Sequence, residues 1–192
     1  MNKIAIFYEE DGRITRVRSG PAKNVEATVE DSDSLYLYVD EEPDVTNKYV
    51  KDGELVDMPS RPSNVHVFDY DSKDWGFALS LAKTHKWREI KQSRDIQEYE
   101  GFTYDNNVFD SNEVAQQRIQ NAMLLATQDS SVTMDWTLAN NNTVSLNATQ
   151  IIELGKALAH HVNAAHKKAQ TLRVQVNAAS SKSDIDAISW SE

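Results

Sequence analysis

Cysteine is absent from the 192 residues of this sequence, and basic residues are few, with 20 Lys and Arg against 30 Asp and Glu. The absence of cysteine excludes disulfide frameworks, thiol catalysis, iron–sulfur clusters and cysteine-type zinc sites. The formal net charge of −10 disfavours a protein that binds nucleic acid by neutralising phosphates. We therefore expect no nucleic-acid partner.

Long apolar runs are also missing. The N-terminal run Ile4–Tyr8 is short and is followed at once by three acidic residues. A secretion signal needs a longer apolar stretch with a small-residue cleavage site, and a membrane-spanning helix needs about 20 apolar residues. The sequence therefore predicts no membrane span and a protein that is made in a cytoplasm.

Glycine is scarce, and no two of the six glycines form a Gly-x-Gly pair. Phosphate-binding loops of that kind are therefore excluded, and no Gly-x-Ser-x-Gly nucleophile elbow occurs in the sequence. Catalytic groups can come together from any order along a chain, so a small hydrolytic protein stays an alternative. Our leading interpretation is a protein without enzymatic activity and without a cofactor.

Histidine and aspartate residues cluster at two places in the sequence, but neither cluster has the spacing of a metal site. His160, His161 and His166 lie on one predicted helix, but neither pair that includes His166 has the i, i+3 or i, i+4 spacing that brings two imidazoles to one ion. The acidic stretch 69–74 does not fit a calcium loop, because Lys73 occupies the fifth position and no glycine follows at the sixth. The sequence predicts a polar helix flank and a β-turn at these places, and no metal.

Proline and negative charge divide the chain into two parts. All four prolines lie at or before residue 62, and residues 1–75 contain 17 acidic and 9 Lys or Arg residues. The remaining 13 acidic and 11 basic residues leave a net charge of only −2 for residues 76–192. Since proline is excluded from helix interiors, we predict an acidic β module over residues 1–76 and a mainly helical domain over residues 77–192.

Turn signals divide the first part into short strands. The clearest is Asp52-Gly53, the residue pair that a type I′ hairpin turn favours. The predicted strands are Ile4–Tyr8, Arg13–Arg18, Ser34–Val39, Lys48–Lys51, Glu54–Val56 and Val65–Phe68, followed by a turn over residues 69–75.

The second part predicts helices with two inserted β-hairpins and one long helix, so the fold class is α+β. Asp110 with Glu113 fits a capping box, and Asn147 is the expected cap of the long helix. The expected helices are 77–98, 110–127, 147–177 and a last short turn from Ser183, and the expected hairpins turn at 105–107 and 139–142.

Apolar residues on the long helix follow a nearly heptad spacing. This seam has two interpretations: a core stripe facing other helices of the same chain, or a surface that packs in part on another chain. The candidate interface residues are Ile151, Leu154, Leu158, Val162, Ala165, Ala169 and Leu172.

Four tryptophans, Trp75, Trp87, Trp136 and Trp190, are spread along the chain. Each ring can anchor a small core, because a tryptophan side chain buries about 150–250 Å². A cluster of exposed rings on one surface would instead indicate a platform for carbohydrate. Glycan binding is therefore a further alternative.

The order of short motifs resembles that of tailed-bacteriophage tail proteins. Tyr49–Pro62, Phe68-Asp69-Tyr70 and Trp75 resemble the β module of these proteins, many of which are tail fibre assembly proteins. The second half resembles an uncharacterised domain at their C-termini, through Trp87-Arg88, Arg94-Asp95, Gly101-Phe102, Gln117-Arg118-Ile119, Trp136-Thr137, Ile152-Glu153-Leu154 and Trp190.

This resemblance implies a non-enzymatic protein that binds tail fibre or baseplate components. As a minor structural subunit of the distal tail, it would be found in the host cytoplasm during assembly and then in the virion. The alternative role is an assembly chaperone that docks on the fibre and is not retained in the virion. The resemblance also allows a homo-oligomer, and it carries over no catalytic residue.

Overall fold

The computed structural model describes residues 2–191 and has the mixed α and β composition that the sequence predicts. Two compact units meet in sequence at Leu81 and Ala82. An antiparallel sheet with two further hairpins forms the first unit, and helices with two small hairpins form the second. Within residues 2–191, no helix has the length and apolar character that crossing a membrane requires.

The elements of the first unit are short. In chain order they are β1 Asn2–Tyr8, β2 Ile14–Pro21, α1 Ala22–Glu30, β3 Leu35–Val39, β4 Lys48–Lys51, β5 Glu54–Asp57, β6 His66–Asp69 and β7 Asp74–Phe77.

The elements that follow are longer helices separated by hairpins. In chain order they are α2 Leu79–Tyr99, β8 Phe102–Tyr104, β9 Asn107–Phe109, α3 Glu113–Gln128, β10 Thr133–Thr137, β11 Thr143–Asn147, α4 Ala148–Ala178 and α5 Lys182–Ala187.

Strand β1 is the centre of a three-stranded antiparallel sheet with the order β2-β1-β3. Helix α1 covers one face of this sheet, where Val25 and Val29 pack on Ala5 and Phe7 of β1. The prediction of a β module without a helix is therefore wrong at α1. The missed signal is the i, i+4 spacing of the two valines directly after Pro21, a residue that suits a helix start.

The two hairpins β4-β5 and β6-β7 are antiparallel pairs. The first confirms the Asp52-Gly53 turn, where both residues have positive φ. The second corrects the expected turn over residues 69–75, because Asp74–Phe77 forms a strand that pairs with β6. The turn itself is confirmed at its start: the carboxylate of Asp69 accepts hydrogen bonds from the backbone N–H groups of Asp71 and Ser72. These two bonds hold the pKa of the Asp69 carboxyl below its usual value.

A backbone hydrogen bond attaches the β1–β2 turn to strand β4. The carbonyl oxygen of Gly12 accepts a hydrogen bond of 2.9 Å from the Val50 N–H. Gly12 has φ +79°, and a Cβ at this position would lie 2.0 Å from the Val50 carbonyl oxygen. Only glycine therefore fits both the backbone conformation and the close approach.

The core of the second unit lies between α3, α4 and the two hairpins. Its buried residues include Phe109 of β9, Ile119 of α3, Leu146 of β11 and Ile151 of α4. Helices α3 and α4 approach closely at Gly155, where an added Cβ would lie 2.4 Å from the Met123 sulfur.

The C-terminal part of α4 contacts α2 and the segment after α5. The ammonium group of Lys83 donates a 2.8 Å hydrogen bond to the Asn177 carbonyl oxygen. The Arg173 guanidinium lies 4.6 Å from the ring centre of Trp87, a cation–π arrangement. Long polar side chains of α4 thus cover apolar rings of the neighbouring elements.

Two helix caps test the local sequence signals. Asn147 accepts a hydrogen bond from Gln150 N–H, and the Gln150 side chain accepts one from the Asn147 N–H, which confirms the predicted cap of α4. The start predicted at Asp110 for α3 is wrong, because Asn112 accepts from Ala115 N–H and the helix begins at Glu113. Asn112 takes this role because strand β9 still continues to Phe109.

Candidate functional site

The predicted interface residues of α4 lie in the core of their own unit. Six side chains are buried, and Val162 is partly buried against the same core. Their apolar surface is covered by elements of this chain, which favours the core-stripe interpretation. The buried residues are Ile151, Leu154, Leu158, Ala165, Ala169 and Leu172.

A polar cluster lies where α2 ends. The Glu98 carboxylate accepts a 3.1 Å hydrogen bond from the Gln116 side chain, and its other oxygen lies 3.0 Å from His166 Nε2. The Glu98 carbonyl oxygen accepts a 2.5 Å hydrogen bond from the Ser111 hydroxyl and lies 3.3 Å from His161 Nε2. One residue therefore links the end of α2 to α3, α4 and the segment between β9 and α3.

The Glu98 cluster has the bonding of a structural junction. Ser111 is fully buried, and its oxygen is occupied on both sides, because it donates to Glu98 and accepts from the Gly101 N–H at 2.9 Å. A hydroxyl in this position is not presented to a substrate. His161 and His166 are predicted only as part of a polar helix flank, because the members of the cluster lie far apart in sequence, at residues 98–101, 111–116 and 161–166.

An open groove of about 720 Å³ lies between α3 and β10. Leu125, Met134 and Trp136 supply apolar lining, and Arg118 is among the polar residues. The lining of the groove therefore combines apolar and charged side chains.

The tryptophans are all partly buried and lie in different places. The Trp75 indole donates a 2.7 Å hydrogen bond to the Pro59 carbonyl oxygen, and Trp190 donates a 3.1 Å bond to the Gln97 side chain. Trp87 contacts Arg173 of α4, and Trp136 lines the groove. They do not make one ring platform. Over residues 2–191, no group of three or more His, Asp and Glu side chains is arranged to hold a metal ion.

Strand β3 is the most exposed apolar edge of the sheet. It pairs with β1, and no other strand in the described part of the chain pairs with its outer side. The exposed fractions are 47% for Leu35, 45% for Tyr36 and 43% for Tyr38. Tyr36 lies opposite Phe7 and Tyr38 opposite Ala5, so both tyrosines are on the face that α1 covers.

The other edge of the sheet has a different character. Strand β2 carries Arg16 and Arg18, both exposed, and the Arg16 guanidinium lies 4.2 Å from the ring centre of Phe7. Charged side chains within an edge strand protect it from pairing with another chain. Between Leu35 and Val39, strand β3 has no such charge. The unprotected edge is therefore β3.

Acidic residues flank strand β3 on both sides. No Lys or Arg occurs between Lys23 and Lys48. In Asp44 the carboxylate accepts hydrogen bonds from the Thr46 hydroxyl and N–H, which lower the pKa of that carboxyl. The flanking acidic residues, all exposed, are Asp31 and Asp33 before the strand and Asp40, Glu41, Glu42 and Asp44 after it.

The second unit, a set of helices with inserted hairpins, corresponds to a known family. Residues 81–189 match the family described as a domain of unknown function (DUF4376), and the chain belongs to this family. No curated protein and no solved structure matches the chain.

Proposed function

We propose that this protein is a non-enzymatic component of a bacteriophage tail that binds fibre or baseplate proteins, as a minor structural subunit of the distal tail. The order of motifs over residues 45–190 supports the phage assignment through its resemblance to tail and tail fibre assembly proteins. The observation that carries the binding role is the open edge of β3, with its exposed Leu35, Tyr36 and Tyr38.

An open strand edge binds protein by a simple mechanism. Its unpaired N–H and C=O groups can accept an extended segment as an additional strand, while alternate side chains provide specificity. Tyrosine is well suited to such contacts, since it combines a large apolar ring with a hydrogen-bonding hydroxyl. The α4 seam, buried in its own unit, contributes to the stability of the helical unit and not to this surface.

An assembly chaperone would use the same surface in a different way. It would bind the fibre component during assembly and leave before the particle is complete. The two roles therefore differ in whether the protein is present in the finished particle, and the protein composition of purified particles distinguishes them.

Mass spectrometry of purified virions, compared with a deletion of the gene, tests the proposal. A fixed number of copies per particle supports the structural subunit. Absence from particles, together with missing fibres in the deletion, supports the chaperone instead. Absence from particles with normal fibres and normal infectivity in the deletion would overturn both roles.

A variant of the edge strand tests whether β3 carries the binding. Leu35→Lys with Tyr36→Lys places charge within the unprotected edge, and we expect incorporation into particles to be lost. The matched control is Val67→Lys on β6, a side chain that is 51% exposed. Circular dichroism should show both variants folded. Equal incorporation of both would show that β3 is not the binding edge.

A further inference from the structure

We infer that the β3 edge binds an extended segment that carries Lys or Arg at both ends of an alternating, uncharged core. This inference rests on the proposed function for the identity of the partner as a tail protein. Its chemistry follows from β3 itself: an apolar, aromatic strand lies between two groups of carboxylates.

The charge of the flanks determines the ends of the partner segment. Asp31 and Asp33 precede β3, and four acidic residues follow it between positions 40 and 44. All are exposed, no Lys or Arg lies between positions 24 and 47 of the sequence, and Lys3 of β1, which lies over the Tyr38 ring, is paired with Glu26. Because both ends are acidic, a parallel and an antiparallel partner strand would each need basic residues at its two ends.

The geometry of β3 determines the spacing within the partner. A strand of five residues, Leu35–Val39, is about 17 Å long at the usual rise per residue. The basic groups of the partner should therefore flank a core of about five residues. Leu35, Leu37 and Val39 point to the face opposite α1, whereas Tyr36 and Tyr38 lie on the α1 side.

A second copy of the same strand does not fit this edge. Pairing β3 with another β3 would place carboxylates against carboxylates at both ends, and facing like charges are destabilising. The acidic flanks thus keep two copies of the edge apart and at the same time attract a basic segment. Charge complementarity therefore favours a different protein over self-association through β3.

Three labelled peptides with the same length provide the probe. The first is Lys-Arg-Thr-Val-Thr-Val-Thr-Arg-Lys, the second has Glu at the four basic positions, and the third has Pro in place of both valines. Fluorescence anisotropy with the full chain should show at least about tenfold tighter binding of the first, since several surface ion pairs add. Its binding should weaken as salt is raised from 50 to 300 mM, because the screening length shortens from above to below about 10 Å.

Charge reversal identifies the surface. Asp33→Lys with Glu41→Lys changes the summed charge of the six flanking residues from −6 to −2, so the affinity for the basic peptide should fall about tenfold and its advantage over the Glu-flanked peptide should shrink. The matched control, Glu54→Lys with Asp71→Lys, changes the net charge equally at exposed positions of β5 and the β6–β7 turn. We expect it to change the affinity for the basic peptide less than about twofold.

Four outcomes would overturn the inference: no binding of the basic peptide, equal binding of the proline peptide, equal weakening by both double variants, or self-association through β3. The last is read by size-exclusion chromatography of the chain and of the Asp33→Lys, Glu41→Lys variant. The virion experiment is independent. If the chain is present in virions but does not bind the peptides, only this inference is refuted. If the chain binds the basic peptide but deletion of its gene leaves the particles normal, only the tail function is refuted.

Discussion

His166 and Glu98 are 68 residues apart in sequence, yet His166 Nε2 lies 3.0 Å from the Glu98 carboxylate. This contact joins α4 to the end of α2, and the Gln116 side chain joins the same carboxylate to α3. The Glu98 side chain is only 11% exposed, which is unusual for a glutamate and is tolerated because both oxygens have partners.

Replacing Glu98 by Ala should reduce the free energy of unfolding by about 1–3 kcal/mol, because it removes an acceptor shared by three helices. Urea denaturation followed by circular dichroism measures this change. Glu100→Ala, at an exposed position just after α2, is the matched control and should cost less than about 0.5 kcal/mol. Equal effects of the two substitutions would show that the cluster contributes no more than a surface residue.

Gly155→Ala should destabilise the second unit by about 1 kcal/mol or more, because the new methyl group meets Met123 of α3. The gain in helix propensity offsets part of this cost. In the Met123→Ala background the added methyl group has room, so a double-mutant cycle should give a favourable coupling of about 1 kcal/mol. Additive effects would mean that the helices are not in close contact at Gly155.

Gly12→Ala and Gly53→Ala form a matched pair in the first unit. Both glycines have φ near +80°, but only at Gly12 does an added Cβ meet backbone, the Val50 carbonyl group. We expect about 1 kcal/mol of destabilisation at Gly53 from the backbone conformation alone. At Gly12 we expect about 3 kcal/mol from strain and steric overlap together. In thermal unfolding, the Gly12→Ala variant should therefore have the lower midpoint temperature. A lower midpoint for Gly53→Ala would contradict the attachment of the β1–β2 turn to β4.

Helix α5 should loosen at low pH. Hydrogen bonds from the backbone N–H and hydroxyl of Ser180 and from Ser181 lower the pKa of the Asp184 carboxyl. Because the folded pKa lies below the unfolded pKa, the stabilisation is present above about pH 4 and is lost as pH falls through the folded value. The protection factor of the Ile185 amide, which compares its exchange rate with the intrinsic rate at the same pH, should therefore decrease below about pH 4.

Asp184→Asn provides the control for this pH dependence. The variant keeps the size of the side chain but cannot titrate, so exchange at Ile185 should lose the acid-induced step. An unchanged step in Asp184→Asn would assign the transition to another carboxyl group.

Local sequence signals predicted much of the fold. The Asp52-Gly53 turn and the Asn147 cap are confirmed, because the atoms that stabilise each lie within a few residues of one another. The error at α1 arises where a short segment depends on a partner from elsewhere, because its valines need the face of β1 to pack on. At β7 the partner strand is local, and the error is one of extent, since the predicted turn continues to residue 75 although pairing with β6 begins at Asp74.

For the candidate binding surface at β3, too, some features could be predicted from the sequence and others required the tertiary structure. The sequence predicts β3 as a strand, Ser34–Val39, and its acidic flanks are visible without a structure. That β3 is an edge follows only from the strand order, in which β1 occupies the centre. For the α4 seam, the same apolar spacing fits a core stripe and an interface, and only the positions of α2, α3 and the hairpins distinguish them.

The sequence by itself determined the absence of cysteine, the acidic first part and the long amphipathic helix, because composition and periodicity can be read along the chain. The tertiary structure decided which apolar surfaces are buried within the chain. Burial placed the α4 seam inside the second unit, and strand order left the apolar residues of β3 at an open edge. Whether an apolar side chain is covered depends on residues far away in sequence, and this is the information that spacing along the chain does not contain.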